Sequence, residues 1–377
     1  MAKFSYAELQ SLVATAVTEA KLSNASFSAT YNNIVGLLDK IGKIVTLDSN
    51  LAIDKLARFD GEYLSFGKTI EEWQQDLLLV EDYDSTGAHA LSPHDPTYRP
   101  NFYSYTVGKK VIKSTIRNND IERAVHFVEQ FNEIVAIQYK RLTDSMAQYR
   151  YGVKREMLGR WINMAISAMT TTGSNAWNAG TARSEGTYVY YTDSGTTTFG
   201  IVVKEYKTTD NKTFAEAVAG GWVVVFDLVS ELAQPSDDST AEAFLQALKV
   251  QVEKAQDISE GASLNGNTLG AIDGLVLVCK QGVLPVVDVK AFAGAFHEDR
   301  LSAGVEQIVV KDFGDSAPAD VYAVLIDGRG MRLHNTYRAT RENMNGDGDF
   351  LNIFLHTEDT AWVSRNAFIH VFMKPQA

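Results

Sequence analysis

The stretch DIERAVHFVEQFNEIVAIQYKRLTDSMAQYRYGV, residues 120–153, decides the fold because it predicts one helix longer than a small domain is wide. Apolar side chains recur at steps of three, four or seven, as on one face of an α-helix. They are Ile121, Val125, Val128, Val135, Tyr139, Leu142, Met146, Tyr149 and Val153. At ~1.5 Å per residue, 120–149 alone would span roughly 45 Å.

A coiled coil is the alternative interpretation of this stretch. Asn132 and Gln138 interrupt the apolar seam, and no heptad pattern continues beyond it. Asn119 or Asp120 can cap the start, and Gly152 marks a point where the helix can bend or end. We therefore predict a single long helix along the back of a flat domain.

The residues before the helix predict an arm and then a long excursion. Two short amphipathic helices are expected in the arm, at 5–20 and 31–44. Residues 61–118 then read as two extended limbs around a long, proline-marked tip.

Charge is separated sharply between the two limbs. The outgoing limb, 60–84, carries eight acidic residues and one base, Lys68, whereas the returning limb carries Lys109, Lys110, Lys113 and Arg117. Solvated faces would explain this pattern, and so would pairing with a neighbouring subunit.

The residues after the helix predict an α+β fold. A polar segment, 171–213, contains two β-prone limbs around Asp193, Ser194 and Gly195, which indicates an exposed β-hairpin. Strands are then expected at 222–226, 274–280, 305–313 and 321–327, with two closing strands at 351–357 and 367–373. Helices are expected at 239–256, with a Ser239/Glu242 capping box, and at 287–296.

Composition and motifs argue against several classes of function. A net charge of −12 opposes a protein that grips nucleic acid, and the only cysteine, Cys279, lies in an apolar run. Neither a signal peptide nor a membrane-spanning run is expected. Phosphate-binding, nucleophile-elbow and zinc-protease patterns are absent from the sequence. We therefore expect no enzyme activity and no cofactor.

The string NMNGDGD, residues 343–349, resembles the start of a calcium loop, but the twelfth position is Phe354 instead of a glutamate. A glycine-rich turn between two strands is the favoured interpretation, and no metal is expected.

One basic cluster on the long helix is the candidate surface for nucleic acid or for the acidic limb of a neighbour. It consists of Lys140, Arg141, Arg150, Lys154, Arg155 and Arg160.

Five strings carry a resemblance to a known family. They are LLDKIGKIV (37–45), FGKTIEEW followed by EDYD (66–84), DGLVLVCKQGVLPVVDVKAFAGAF (273–296), VLIDGRGMRLHN (324–335) and FLNIFLHTEDTAWVSRNAFIHVF (350–372). Together they resemble the major capsid proteins of short-tailed phages of the phi-twenty-nine type, which have the tailed-phage capsid fold named after phage Hong Kong ninety-seven.

The resemblance implies a division of the chain. It comprises an N-terminal arm (1–60), an extended loop or E-loop (61–118), the spine helix of a peripheral domain (119–170), an axial domain (214–323) and closing strands shared by both domains (324–377). Residues 171–213 match nothing in the family and are expected to be a β-hairpin insertion. The immunoglobulin-like domain that follows the capsid fold in the phi-twenty-nine type is not expected within these residues. Nor does any residue match the crosslinking motif of the fold's namesake.

The resemblance also implies a function. We expect a non-enzymatic major capsid protein, of the podovirus kind among Caudoviricetes, that self-assembles into pentamers and hexamers of an icosahedral or prolate shell. Expected partners are a scaffolding protein, a portal and the packaged double-stranded DNA, with assembly in the host cytoplasm and a final place in the virion. Candidate intersubunit contacts are Glu71, Glu72 and Asp76 against Lys109, Lys113, Lys154 and Arg155 of neighbours.

Two alternatives remain open from the sequence alone. An encapsulin-like nanocompartment shell shares the fold and would be recognised by a neighbouring cargo gene. A cytosolic α+β enzyme would instead be a monomer with a deep polar pocket.

Overall fold

A computed structural model describes residues 54–65, 69–75, 83, 98–103, 105–117, 128–171, 175–268, 270–292 and 305–375. These residues form an α+β structure, as predicted. The predicted arm helices, 5–20 and 31–44, and most of the predicted loop tip lie outside the described residues. No helix in the described part is long and apolar enough to cross a membrane.

The helices are α1 (Val128–Ala168), α2 (Phe214–Ala219), α3 (Asp238–Gln256) and α4 (Val283–Phe292), and a short 3-10 helix covers Ala57–Phe59. The strands are β1 (Ile70–Gln75), β2 (Tyr98–Tyr103), β3 (Tyr105–Arg117), β4 (Tyr188–Asp193), β5 (Thr196–Val202), β6 (Val223–Val225), β7 (Val229–Glu231), β8 (Ala262–Ser263), β9 (Gly266–Asn267), β10 (Leu275–Lys280), β11 (Glu306–Val310), β12 (Val321–Asp327), β13 (Met331–Asn345), β14 (Phe350–Val363) and β15 (Ile369–Met373).

The long helix α1 is confirmed and links two hydrophobic cores. Its 41 residues span roughly 60 Å at ~1.5 Å per residue. Leu142 and Met146 pack in a small core with β3 and β14, whereas Leu158 and Trp161 lie in the main core. The predicted start, at Asn119 or Asp120, lies outside the described residues. Because the helix contributes buried side chains to both cores, it serves as the spine of the subunit and is called the spine helix below.

A three-stranded antiparallel sheet in the order β13-β14-β3 lies against the first half of the spine helix. Ile116, Ile353 and Leu355 form its buried face. The predicted closing strand at 351–357 is longer than expected. The strand before the glycine-rich turn, β13, was implied by the predicted turn but was given no bounds. The glycine-rich turn is confirmed, because Asn345 Oδ1 accepts hydrogen bonds from the backbone amides of Asp347 and Gly348 at 3.1 and 2.9 Å.

Both outer strands of this sheet carry an irregularity at one level, beside Glu358. The register of β13 shifts between Asn335 and Tyr337, and the register of β14 against β3 shifts between Thr357 and Asp359. Irregularities of this kind disrupt the ladder and increase the local twist. We therefore expect the twist of the sheet to increase between its distal half and the half near the main core.

A five-stranded mixed sheet, in the order β11-β10-β12-β15-β7, lies between two hydrophobic cores. One face contributes Val276, Val278 and Val324 to the main core beside the spine helix. The other face contributes Leu277 and Phe372 to a second core beneath α3 and α4. Burial on both faces explains why β10, β12 and, apart from His370, β15 consist largely of apolar residues.

Two helix starts differ from the prediction. The capping box of α3 uses Asp237 and Thr240 instead of Ser239 and Glu242, so the helix begins at Asp238. The helix predicted at 287–296 begins four residues earlier, at Val283, and is described to Phe292. Pro285 is tolerated in its first turn, where backbone amides have no intrahelical acceptor.

Strands β4, β5 and β6, with α2, form a small unit around a core of its own. The predicted hairpin is confirmed, and Ser194 and Gly195 both have positive φ (51° and 88°), as a tight hairpin turn requires. The Tyr206 hydroxyl donates to the Ala179 carbonyl at 2.9 Å and accepts from the Lys212 amide at 2.6 Å. This small unit thus has a hydrophobic core and a hydrogen-bonded centre of its own, whereas its origin as an insertion stays a prediction.

We expect the subunit to lose stability as the pH falls from about 6.5 to 4 because of His370. Its ring is fully buried against Ser230 and the Asp227 carbonyl, and burial lowers its pKa to about 4, although the Asp227 carboxylate opposes the shift. On acidification, His370 of the unfolded state binds its proton first. The contribution of neutral, buried His370 to the free energy of unfolding is therefore fully present above pH 6.5 and falls by up to about 3 kcal/mol by pH 4. Urea unfolding of His370→Gln should lack this component, and an unchanged pH dependence would contradict the assignment.

Gly159→Ala should destabilise the subunit strongly. A methyl group at this position of the spine helix would lie 2.2 Å from the Phe313 carbonyl oxygen, which is backbone and cannot rotate away. Overpacking of this kind costs about 1–3 kcal/mol. Gly152→Ala is the matched control, because nothing lies within 4 Å of its added methyl group. It should stabilise the helix by up to about 1 kcal/mol in the same thermal unfolding assay.

Candidate intersubunit surface

The middle of the spine helix holds the first described segment of the chain through a buried ammonium. Lys154 Nζ, with a side chain 1% exposed, lies 3.0 Å from Asp60 Oδ1 and 3.2 Å from the Leu56 carbonyl, and it also pairs with Asp54. One turn earlier, Arg150 lies 3.1 Å from the same Asp60. This network fixes where residues 54–60 enter the subunit.

The β1-β2 pair, which lies within the predicted E-loop and is called the E-loop base below, is attached to the rest of the subunit by Tyr103. Its hydroxyl donates to Glu72 at 2.8 Å and accepts from the Arg365 amide at 2.9 Å, while its ring lies 5.8 Å from that of Trp362. Ser364 donates to the other oxygen of Glu72 at 2.6 Å. Burial raises the pKa of Tyr103, and Glu72 raises it further, so the phenol stays neutral and can donate.

The other face of this loop base is exposed. Glu71 lies directly opposite Phe102 in the β1-β2 pair, so both side chains share one face. Phe102 is 65% exposed and Trp73, two residues beyond Glu71, is 62% exposed. A loop base held on one side therefore presents an aromatic and acidic surface on the other.

Next to this surface lies a groove of about 1000 Å³ between the loop base, the spine helix and the turn at 314–315. Its walls are largely apolar; they include Phe102, Tyr105, Val107, Tyr149, Val153, Met157, Met164 and Val363. Tyr105 and Met164 remain 48% and 37% exposed. Apolar surface of this extent on one subunit is typical of a contact site.

Arginines border the groove, and two of them are held in place. Arg155 lies 3.1 Å from Asp312, and the guanidinium of Arg160 lies 5.0 Å from the ring centre of Tyr105. Arg160 also lies 3.5 Å from Glu156. Burial alone would raise the pKa of Glu156, but hydrogen bonds from Ser316 and the backbone keep it below its usual value, so this carboxylate stays charged.

The structure places the seven predicted contact residues in different settings. Glu71 and Lys113 are exposed, and Lys109 lies 4.0 Å from Glu358 and over the ring of Tyr337. Glu72, Lys154 and Arg155 have the partners within the subunit described above. Asp76 lies outside the described residues. Among the described members, no predicted acid pairs with a predicted base in the same subunit, so their pairing between subunits stays a prediction.

Sequence reasoning missed the aromatic half of this surface. The string NFYSY, 101–105, alternates Phe102 on the open face with Tyr103 on the body side, but neither residue was singled out. The useful signal was the two-residue period of a strand, which separates the two faces.

Metal-binding groups are not assembled here. In the ranges that the structure describes, no three His, Cys, Asp or Glu side chains are placed to hold an ion.

Removing one hydroxyl should loosen the E-loop base. Tyr103→Phe leaves the Arg365 amide without its acceptor, at a cost of about 1–2 kcal/mol. Amide hydrogen exchange of 70–75 and 98–103 should accelerate by roughly tenfold, since 1.4 kcal/mol is a factor of ten. Tyr105→Phe removes the same atom from an exposed ring and should leave exchange unchanged. Equal rates in the two variants would contradict the attachment.

Comparisons with known proteins agree on the architecture. A family model for the Phi29-like phage major capsid protein matches residues 2–373. A chain in the capsid structure of Staphylococcus phage Andhra has a TM-score of 0.54 at 9% identity, with 88% of this chain and 87% of that chain covered. A chain in a structure of the head fiber and inner core protein gp22 of native bacteriophage P68 has a TM-score of 0.50 at 11% identity, with 88% of each chain covered. Curated protein sequences yield no match.

The structural likenesses share the fold, and the family match extends over almost the whole sequence. The assignment favours a shell-forming structural protein of the virion capsid over both alternatives, the encapsulin-like shell and the cytosolic enzyme. The chain belongs to the Phi29-like phage major capsid protein family.

Proposed function

We propose that this capsid protein assembles as pentamers and hexamers into a closed icosahedral or prolate shell around double-stranded DNA. A scaffolding protein and a portal are its expected assembly partners, and assembly takes place in the host cytoplasm. The observation that carries the proposal is the exposed apolar groove beside the open aromatic face of the E-loop base.

The groove and the aromatic face support contact with other copies. Burial of apolar surface yields about 25 cal/mol per Å², so covering Trp73, Phe102 and Tyr105 favours association. Each contact is small, but every subunit repeats it with its neighbours. Many modest contacts in a closed arrangement then produce one stable shell.

Charge supports the orientation of that contact. Glu71 on the open loop face and Lys113 on the outer face of β3 are both exposed, so they are available to subunits on either side. We propose that Glu71 of one copy faces Lys113 of the next. Rim charges of this kind mainly set the register and rate of association.

A net charge of −12 is consistent with enclosing DNA rather than adhering to it. An acidic wall repels the packaged polyanion, so the shell must contain it mechanically. The proposal therefore places the stability of the particle in contacts between proteins.

Expression followed by negative-stain electron microscopy tests the proposed function. The chain is produced with and without a scaffolding protein encoded beside it, and the products are separated by sedimentation. We expect shells, tubes or sheets of capsomers. A monomer at every concentration and in both settings would refute the proposal.

Charge reversal tests the contact between Glu71 and Lys113. Glu71→Lys and Lys113→Glu should each raise the critical concentration for assembly at least threefold, because each repeats a like-charge pair across many interfaces. The double variant should recover most of the loss. Glu205→Lys, the same charge change at an exposed site of the insertion, is the control and should assemble normally. Failure of the double variant to recover would rule out this pairing.

A further inference from the structure

The outer edge of β13 is covered over only part of its length. Near the main core, the Gly61 amide donates to the Leu333 carbonyl at 3.0 Å and the Leu64 amide donates to the Asn335 carbonyl at 2.9 Å. Beyond residue 335, no segment that the structure describes pairs with this edge, although β14 pairs with the inner edge throughout. Ten residues of β13, 336–345, thus form an edge of the sheet with which no other described strand pairs.

An open strand edge is a template for another strand, and proteins usually protect such edges with charges. Edge residues 338–345 are exposed, with the exception of Ala339, which is half-buried, and they include Arg338, Arg341 and Glu342. Like charges alone would repel a second copy, but Arg338 and Glu342 have opposite signs. Two identical edges running antiparallel can therefore complement each other.

Symmetry restricts how two such edges can pair. If both sheets keep their spine helices on the same side, the two-fold axis is perpendicular to the joined sheet. Paired residues must then point to the same face, so their numbers differ by an even amount. A two-fold axis at Thr340 satisfies this condition and sets Arg338 opposite Glu342 twice. An axis at Arg341 or Glu342 would instead set like charges directly opposite each other.

The spine helix leaves room for the second copy. It packs over Ile116, Ile353 and Leu355, which belong to β3 and β14, and leaves the distal part of β13 exposed. With strands ~4.8 Å apart, two helices centred between β3 and β14 would lie about 19 Å from each other. A helix is only about 10–12 Å wide with its side chains. The joined six-stranded sheet is therefore free of helix overlap.

We propose that residues 336–345 of β13 pair antiparallel with the same residues of a second copy, with Thr340 facing Thr340 and Arg338 facing Glu342. In this register each copy supplies the cation of one Arg338–Glu342 pair and the anion of the other. The inference rests on the proposed function, in which copies associate, and identifies one of the surfaces through which neighbouring subunits meet.

Cysteine crosslinking tests the register directly. Facing residues of an antiparallel pair have Cα atoms about 4.5–5.5 Å apart, which suits a disulfide. The only native cysteine, Cys279, is buried and contributes no background. In oxidised shells of Thr340→Cys, we expect more than half of the chains to run as dimers on non-reducing gels, and the reductant should reverse the linkage.

Asn343→Cys is the matched control on the same strand. In the proposed register, residue 343 of one copy faces Tyr337 of the other. The two introduced cysteines are therefore six residues apart along the strands, about 20 Å, and no dimer should form. Shells of Thr340→Cys without dimers, or equal dimer yields from both variants, would overturn the inference while leaving the proposed function intact. Absence of wild-type shells refutes the proposed function instead.

A charge exchange provides a second test that does not depend on a cysteine. In the Thr340→Cys background, Arg338→Glu should reduce the dimer yield at least fivefold, and adding Glu342→Arg should restore it. The yield is read from soluble chains at high concentration as well as from shells, so a variant that assembles poorly still gives a result. Equal yields from the single and the double exchange would overturn the pairing.

Discussion

The subunit depends on the buried ammonium of Lys154. Removing a charge from water costs several kcal/mol, which two carboxylates and the Leu56 carbonyl offset here. The same segment places Leu56 and Phe59 in the main core, and its continuation covers the first part of the β13 edge. A single ammonium thus joins the spine helix to the segment that contributes to the main core and pairs with the edge of β13.

Rigidity and exposure are divided between the two sides of the E-loop base. Tyr103 and Glu72 connect the body side to Ser364 and Arg365, whereas Trp73 and Phe102 stay open on the other side. A contact surface that is already held in its final geometry loses little conformational entropy when a neighbour binds it. The polar contacts inside the subunit therefore strengthen the apolar contacts outside it.

Strong periodicity made much of the fold predictable. The spine helix, β10, β12 and the hairpin at Asp193 follow from helical spacing, apolar runs and turn chemistry. The distal part of β13, YRATRENMN, has no alternation to detect because most of it is exposed on both faces. The start of α3 was misplaced because two overlapping capping boxes fit the sequence and only the fold selects between them.

The candidate surface was less predictable, because its parts meet only in three dimensions. Lys154 read as a surface cation, yet its partner Asp54 lies 100 residues earlier in the chain. The groove draws on four separate segments, none of which carries a motif. Local sequence patterns indicate the helix or strand to which a residue belongs. A contact surface depends instead on how elements that are distant in the sequence pack together.

The small unit at 175–225, which includes most of the segment predicted to be an insertion, contains its own core, formed by Trp177, Tyr206 and Phe214 among others. Its turn at Ser194 and Gly195 is exposed. The turn contributes no side chain to that core, so substitutions in it need not disturb the packing of the subunit. The same independence makes the turn suitable for carrying foreign peptides on an intact particle.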